Sequence, residues 1–274
     1  MKSIDKSALC AAILILATQT IRASCGLHFC PRTDEVTEKP FEAALSWRQS
    51  GFDLNDHGGQ YSEFVPTLQF AYKNLWLLKA NIPFAGLSVK GETEWGMENP
   101  MLLAEWRFHP GMGNMLSLGV QAELPFGDHH HGLAGDHFML VPYAAFGMGL
   151  GPWFLTATAG YSAAIGHHDH EEPPTAADLD YLYVHPHEDQ EILYRLSAGL
   201  PLWNGRTRPE AFLNAQYVLV EDKEFLKDDH ALTAGILFPI KIGGGLTTAA
   251  AAEFPLIRPG RFDWSAGLDL RLAF

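Results

Sequence analysis

The chain has 274 residues and a formal net charge of −13 at pH 7. This acidic balance argues against a nucleic-acid partner and favours cationic partners. No segment reaches the about 20 consecutive apolar residues of a transmembrane helix, so any membrane crossing would have to use the strands of a closed barrel.

The N-terminal segment Met1–Ala23 predicts a secretory signal peptide. Lys2 and Lys6 precede the apolar run ALCAAILILA, which is too short for a membrane helix, and the small residue Ala23 suits cleavage. Residues 24–40 are then predicted to be a periplasmic leader. The alternative is a lipoprotein whose first mature residue is Cys25.

Two cysteines remain after removal of the signal. Cys25 and Cys30 lie in the sequence CGLHFC, and an oxidising periplasm would allow them to form a disulfide. His28 lies between them, so a Cys-x-x-His-x-Cys metal site is the alternative. A small disulfide loop or an unstructured leader is the preferred interpretation.

From residue 41 to residue 274 the chain repeats one unit, in which apolar and polar residues alternate with the period of a β-strand. Tight turns and longer polar loops alternate between the segments. The exception is the last pair of segments, which is also joined by a short turn, Arg258–Gly260. The twelve predicted strands are Phe41–Arg48, Phe64–Tyr72, Leu75–Phe84, Pro100–His109, Met115–Phe126, Phe138–Met148, Trp153–Ile165, Glu191–Leu202, Pro209–Val220, His230–Ile240, Leu246–Leu256 and Phe262–Phe274. The longer loops are predicted at Gln49–Glu63, Ala85–Asn99, Gly127–His137, Gly166–Gln190 and Glu221–Asp229.

The segment Phe262–Phe274 (FDWSAGLDLRLAF) is the clearest strand. Its apolar residues occur at every second position over more than the about 9–11 residues that a tilted transmembrane strand needs. Its closing aromatic residue resembles the last strand of bacterial outer-membrane barrels, whose terminal Phe is read by their assembly machinery. We therefore predict an all-β fold, a transmembrane antiparallel up-and-down β-barrel of about twelve strands, in the outer membrane of a Gram-negative bacterium.

The alternation places a set of charged residues of both signs on the inward face of the predicted barrel. Charges on the lipid face would be costly, which supports the inward placement. One interpretation is that these groups pair and brace a narrow lumen, and the other is that they line a solute path. The inward charges are Glu42, Lys79, Glu105, Arg107, Glu123, Arg195, Glu253, Asp269 and Arg271.

Three short stretches resemble a known family. The sequences Gly96–Leu102 (GMENPML), Trp106–Phe108 (WRF) and Leu124–Asp128 (LPFGD) are similar to motifs of the outer-membrane transporter family named for the meta-pathway of phenol degradation. This resemblance implies a barrel that passes small, often apolar, compounds. The chain departs from the family motif where the family has Gly, Asp and usually Lys, at Glu98, Asn99 and Glu105 respectively.

Most of the 13 histidines fall in, or at the ends of, the longer predicted loops. The densest clusters are GDHHHG, GHHDHEE and VHPHED, in which imidazole and carboxylate groups together suit Zn²⁺, Cu²⁺ or Ni²⁺. We predict a His-rich, acidic extracellular rim, with no cofactor required. One interpretation is that this rim binds transition metal ions, and the other is that the loops simply tolerate histidine. The candidate metal ligands are His129, His130, His131, His137, His167, His168, His170, His185 and His187.

Enzyme motifs do not fit the sequence. Gly86–Gly91 (GLSVKG) is one residue too long for a Gly-x-Ser-x-Gly elbow, and the calcium-loop pattern that begins at Asp53 has Phe64 where Glu is required. The chain is therefore predicted not to be an enzyme, although a barrel lipase with a Ser–His pair formed only in space stays open.

The predicted function is an outer-membrane channel or transporter for small solutes. The alternative is a non-conducting barrel whose loops capture or sense metal ions or bind another partner. The expected partners are outer-membrane lipid, the barrel assembly machinery, and a small solute or metal ion, and no nucleic acid is expected.

Overall fold

A computed structural model describes residues 39–54, 57–73, 75–89, 91–111, 114–128, 133–134, 138–165, 190–220, 231–257 and 262–274. Every strand pairing within these ranges is antiparallel. No helix among the described residues is long and apolar enough to cross a membrane. The strands are β1 Phe41–Leu54, β2 His57–Tyr72, β3 Trp76–Asn81, β4 Phe84–Val89, β5 Glu92–Met97, β6 Met101–Gly111, β7 Asn114–Glu123, β8 Phe138–Leu150, β9 Trp153–Ile165, β10 Gln190–Gly199, β11 Glu210–Val220, β12 Ala231–Gly243, β13 Leu246–Ile257 and β14 Trp264–Ala273.

The sheet closes on itself because β1 pairs with both β2 and β14. The C-terminal half of β2, which lies towards the periplasm, pairs with β3, and its N-terminal half pairs with β4. On the other side, β3 pairs with β6, and β4 pairs with β5. Thus β3 and β4 form one barrel strand interrupted at Pro83, and β5 and β6 form another interrupted at Pro100. Counted this way, the barrel has twelve strands, which confirms the predicted fold class.

Proline explains both interruptions, because it has no N–H group for the strand ladder. The gap at Pro83 is bridged by the N–H of Glu98, which donates to the Pro83 carbonyl at 3.0 Å. The gap at Pro100 is bridged by the N–H of Leu124, which donates to the Pro100 carbonyl at 2.9 Å. Backbone hydrogen bonds therefore keep the wall connected across both interruptions.

The outer face of the barrel is a belt of exposed apolar side chains. Leu68, Ile236 and Leu268 are between 54% and 66% exposed, whereas polar residues at neighbouring inward positions are buried. Such exposure would be unfavourable in water, and it is the arrangement that a hydrocarbon environment requires of a transmembrane barrel. The period-two pattern of the sequence therefore reports the inward and outward faces of the wall.

Two predicted loops were wrong. Most of Gln49–Glu63 belongs to β1 and β2, which extend to residues 54 and 57, and most of Ala85–Asn99 forms the β4–β5 hairpin. Above Trp47 the apolar residues change sides: Phe52 and Tyr61 face inward and are buried, while the outward positions become polar. The strands continue above the membrane belt, so the membrane-type alternation ends before the strand does.

The start of the last strand also differs from the prediction. Phe262 was expected on the outer face, but it lies before β14, is 4% exposed and packs on Tyr61, with 6.2 Å between ring centroids. The N–H of Asp263 donates to the Gly51 carbonyl at 2.8 Å and aligns this segment with β1. At the other end, Phe274 closes the β1–β14 seam through two backbone hydrogen bonds with Phe41.

Several sequence predictions lie outside the described residues. These are the signal peptide Met1–Ala23, the Cys25–Cys30 pair, most of the leader 24–40, the turn Arg258–Gly260 and large stretches of three long loops.

Candidate functional site

The lumen of the barrel is the candidate site because its inward positions carry the charged residues. In the half of the barrel nearer the periplasm, β6 places Glu105 and Arg107 on its inward face. Arg107 Nε donates to Glu105 Oε1 at 2.5 Å, and the Tyr143 hydroxyl donates to Glu105 Oε2 at 2.6 Å. Glu105 is fully buried and Arg107 is 4% exposed. Both oxygens of this carboxylate are therefore held by charged or hydroxyl donors.

The approach of Tyr143 depends on a glycine in the neighbouring strand. A Cβ atom at Gly119 would lie 2.3 Å from the Tyr143 ring carbon Cζ, which is closer than atoms can approach. Gly119 pairs with both Glu105 and Tyr143, so its missing side chain leaves the space through which the tyrosine reaches the carboxylate. Tyr143 was not among the site residues predicted from the sequence, in which its inward position on β8 is the signal that could have identified it.

A second charged cluster surrounds Arg195 on β10. Its guanidinium group contacts the Glu210 carboxylate at 3.4 Å and donates to Asn214 Oδ1 at 3.1 Å. The same group lies 3.9 Å from the centroid of the Phe212 ring, in a cation–π contact. A third ion pair, Arg271–Asp269, joins alternate residues of β14 at 3.4 Å. Lower lumen charges thus occur mainly as pairs.

Higher in the lumen, the carboxylates have neutral hydrogen-bond partners. Glu123 Oε1 accepts from Asn99 Nδ2 at 3.0 Å. Glu253 Oε1 accepts from Asn214 Nδ2 at 2.7 Å and from the Thr233 hydroxyl. Lys79 lies nearer the periplasmic end, at an inward position on β3 opposite Gln69 and Leu103. A similar bond joins Gln216 to Glu191, and at this height Arg48 lies 3.8 Å from Glu63.

The lumen is not uniformly polar. Six buried residues, none more than 9% exposed, form an apolar cluster on inward positions of strands β2, β3, β6, β8 and β10. Sequence reasoning missed this cluster because it selected the charged residues at inward positions and passed over the apolar ones. The cluster consists of Ala71, Leu77, Leu103, Val141, Tyr143 and Leu193.

A second apolar cluster lies at the extracellular mouth, among the extensions of β1, β2 and β4. Leu133, from the β7–β8 connection, is 2% exposed and packs on the inner face of the β4–β5 hairpin. The connection is fixed where it leaves β7, since Asn99 Oδ1 accepts from the N–H of Gly127 at 3.0 Å. We call this set the mouth cluster, and it consists of Phe52, Tyr61, Ala85, Leu87, Leu133 and Phe262.

The structure does not test the predicted metal ligands. The nine histidines from His129 to His187 that were proposed as ligands all lie outside the described residues. Within the described ranges, no group of three or more His, Cys, Asp or Glu side chains is arranged to hold a metal ion. In the β7–β8 connection, Asp128 and Leu133 are the described residues on either side of His129–His131.

Comparison with solved structures identifies the fold. The crystal structure of the COG4313 outer membrane channel from Pseudomonas putida F1 matches with a TM-score of 0.72 at 12% identity, covering 89% of this chain and 99% of that chain. The translocator domain of the autotransporter NalP from Neisseria meningitidis matches with a TM-score of 0.55 at 12% identity, over 86% and 89% of the two chains. The KdgM porin matches with a TM-score of 0.52 at 7% identity, over 84% and 99%.

These likenesses establish an outer-membrane β-barrel fold, and together with the apolar belt they place the protein in the outer membrane of a Gram-negative bacterium. No family model matches the chain, and no curated protein matches its sequence. The resemblance at Gly96–Leu102 and Leu124–Asp128 to the phenol-degradation transporter family therefore stays a prediction.

Proposed function

We propose that the protein is an outer-membrane channel for small solutes. The observation that carries this proposal is a closed twelve-strand wall whose inward face holds charges of both signs. The ion pair Glu105–Arg107 and the cluster around Arg195 stabilise these charges inside the lumen, and they leave its lower level without a single dominant sign. The likeness to a protein described as an outer membrane channel supports the proposal.

The apolar lining limits what such a channel passes. The cluster around Leu103 and Val141 gives part of the lumen an apolar surface, and the mouth cluster lies at the extracellular entrance. A path with apolar and charged surfaces suits small solutes with a polar group rather than long polymers. The residues proposed to line this path are Lys79, Glu105, Arg107, Glu123, Arg195, Glu253, Asp269 and Arg271.

The purified protein is expected to give discrete conductance steps in a planar lipid bilayer. The measurement requires a sample whose gel mobility changes on boiling, because this change reports a folded barrel before heating. Folded protein that gives no conductance would contradict the channel proposal. It would favour the alternative, a closed barrel braced by its lumen charges whose function resides in the loops.

The extracellular rim is proposed to capture Zn²⁺, Cu²⁺ or Ni²⁺. The supporting observation is compositional: residues 166–190 contain five of the candidate histidines, at positions 167, 168, 170, 185 and 187, and seven carboxylates without a lysine or arginine. Imidazole must be neutral to bind metal, so affinity should fall as the pH drops below about 6.5. The same ions could feed or gate the proposed path.

Removal of the histidine clusters should weaken metal binding. Deletion of His129–His131 together with His167–His170 is expected to lower the affinity for Zn²⁺ or Cu²⁺ by at least about tenfold, because each lost ligand removes a metal–nitrogen bond. Titration calorimetry on the folded protein measures this change. Replacement of His109, an exposed residue of β6 near the periplasmic end, is the matched control. An unchanged affinity in the deletion variant would remove the metal hypothesis.

The remaining features of the proposal concern export. Residues 1–23 act as the cleaved signal peptide, and residues 24–40 form a periplasmic leader before the barrel. The barrel assembly machinery then inserts residues 41–274 into outer-membrane lipid. The proposal includes no enzyme activity and no cofactor.

A further inference from the structure

Four carboxylates recur at a regular interval around the barrel. They belong to β2, β7, β10 and β13, which are every third strand of the twelve. Each lies seven to nine residues from the periplasmic end of its strand, counted from Tyr72, Asn114, Gly199 and Leu246. At about 3.3 Å per residue, the four lie within about 7 Å of one level. We call this set the carboxylate ring, and it consists of Glu63, Glu123, Glu191 and Glu253.

The hydrogen bonds of the ring fix the positions of its side chains. Asn99 and Gln216 donate amide hydrogen atoms to Glu123 and Glu191, and Asn214 and Thr233 both donate to Glu253. These three carboxylates are oriented by neutral donors, whereas the fourth, Glu63, lies 3.8 Å from Arg48. The arrangement is that of preorganised acceptors that face a common lumen.

Four cationic side chains of the lumen lie closer to the periplasmic end than the ring does. Lys79, Arg107, Arg195 and Arg271 are two to four residues from the periplasmic ends of their strands. Arg107, Arg195 and Arg271 form ion pairs with Glu105, Glu210 and Asp269, all of which lie within six residues of the periplasmic ends of their strands. Among the described inward residues, Arg48 is the cationic side chain at the level of the ring. The lumen therefore has an acidic upper level and a mixed lower level.

The members of the ring differ in their access to a solute. Glu123 and Glu253 are partly exposed and lie six barrel strands apart, on opposite sides of the wall. Glu63 and Glu191 are only 2% and 6% exposed. The first two can contact a passing ion directly. Glu191 acts through the field that it adds to the lumen, and the charge of Glu63 is partly offset by Arg48 at 3.8 Å.

We propose that the carboxylate ring makes the lumen selective for small cations, such as alkali-metal ions and organic ammonium ions, over anions of the same size. This inference rests on the proposed channel function and names its solute class. Rings of Asp or Glu side chains select cations because a permeating cation exchanges some of its hydration shell for the field of the carboxylates, whereas an anion is repelled. The paired charges below offer no comparable barrier to either sign.

The test is the reversal potential of single channels under a KCl gradient. Wild-type protein should show a potential of the sign produced by K⁺ permeation. The preference should weaken as salt rises, because the screening length falls from about 10 Å at 0.1 M to about 3 Å at 1 M. The double variant Glu123→Gln, Glu253→Gln should move the reversal potential towards zero and reduce the K⁺ to Cl⁻ permeability ratio at least about twofold.

The control is Glu92→Gln, which makes the same charge change at an exposed position on the β4–β5 hairpin and should leave the ratio unchanged. A wild-type channel that is unselective or prefers Cl⁻ would overturn the ring proposal whether or not the variants fold. So would a conducting double variant with the wild-type ratio. Folded protein without any conductance would instead overturn the channel function on which the ring proposal rests.

Discussion

Replacement of Arg107 by alanine is expected to destabilise the barrel by about 3–5 kcal/mol, because it leaves the Glu105 carboxylate buried without its cationic partner. Glu105 is fully buried, and its second oxygen is already engaged by the Tyr143 hydroxyl at 2.6 Å. Water cannot easily replace the guanidinium group in such a place. Urea unfolding of the purified barrel, followed by the loss of heat-modifiable gel mobility, measures the change.

The control for this prediction is the double variant Glu105→Gln, Arg107→Met. It removes both charges, keeps an oxygen that accepts from Tyr143 and preserves much of the side-chain volume, so it should lose far less stability than the alanine variant. An alanine variant within about 1 kcal/mol of wild type would show that the pair is solvated and contributes little, as surface ion pairs do. The comparison separates the cost of an unpaired charge from the cost of lost packing.

The barrel could be predicted because lipid imposes a strict rule on its outer face. Leu268, Leu270 and Leu272 must be apolar where they meet hydrocarbon, while Asp269 and Arg271 between them must face inward. This constraint acts on each transmembrane strand separately and needs no knowledge of its neighbours. It therefore allowed the strand count and the inward positions of the charges to be deduced from alternation alone.

The same rule fails above the membrane. There, Phe52 and Tyr61 turn their apolar rings inward against Phe262, and the outward positions face water. The period of two persists, but the apolar residues now lie on the inward face instead of the outward face. For this reason the extensions of β1 and β2 were predicted to be loops. Their formation depends on contacts with Phe262 and Leu133, which are distant in sequence. Local alternation cannot show such contacts.

The contacts within the lumen also could not be predicted from the sequence. Inward positions identified Glu123, but not its hydrogen bond with Asn99, which reaches it from the β5–β6 connection. An aspartate at position 99, as in the family motif that the segment resembles, would bring two carboxylates together there, whereas asparagine donates a hydrogen bond. The partner of each charge depends on strand register, and register follows from the pairing of the whole wall.

Replacement of Leu133 by aspartate is expected to release the β7–β8 connection from the mouth cluster and to raise the channel conductance. Leu133 is 2% exposed, and a Cβ atom built on Gly96 would lie 2.8 Å from its Cδ1 atom, so it packs closely on the inner face of the hairpin. Loss of a buried leucine side chain costs about 2–5 kcal/mol, and a carboxylate in the same apolar place costs more. We expect the β7–β8 connection to detach locally and so to avoid this unfavourable burial, since the strand ladders of the barrel do not depend on the Leu133 contact.

Single-channel recording, together with gel mobility before and after boiling, measures this result: conductance should rise while the barrel remains folded. Leu133→Met is the matched control, because methionine keeps the volume and the apolar character of the side chain and should leave the conductance near the wild-type value. A folded aspartate variant with unchanged conductance would show that the connection does not narrow the path. In that case the limiting section would lie deeper, among the residues around Leu103 and Tyr143, and variants at the mouth would have no effect on ion flow.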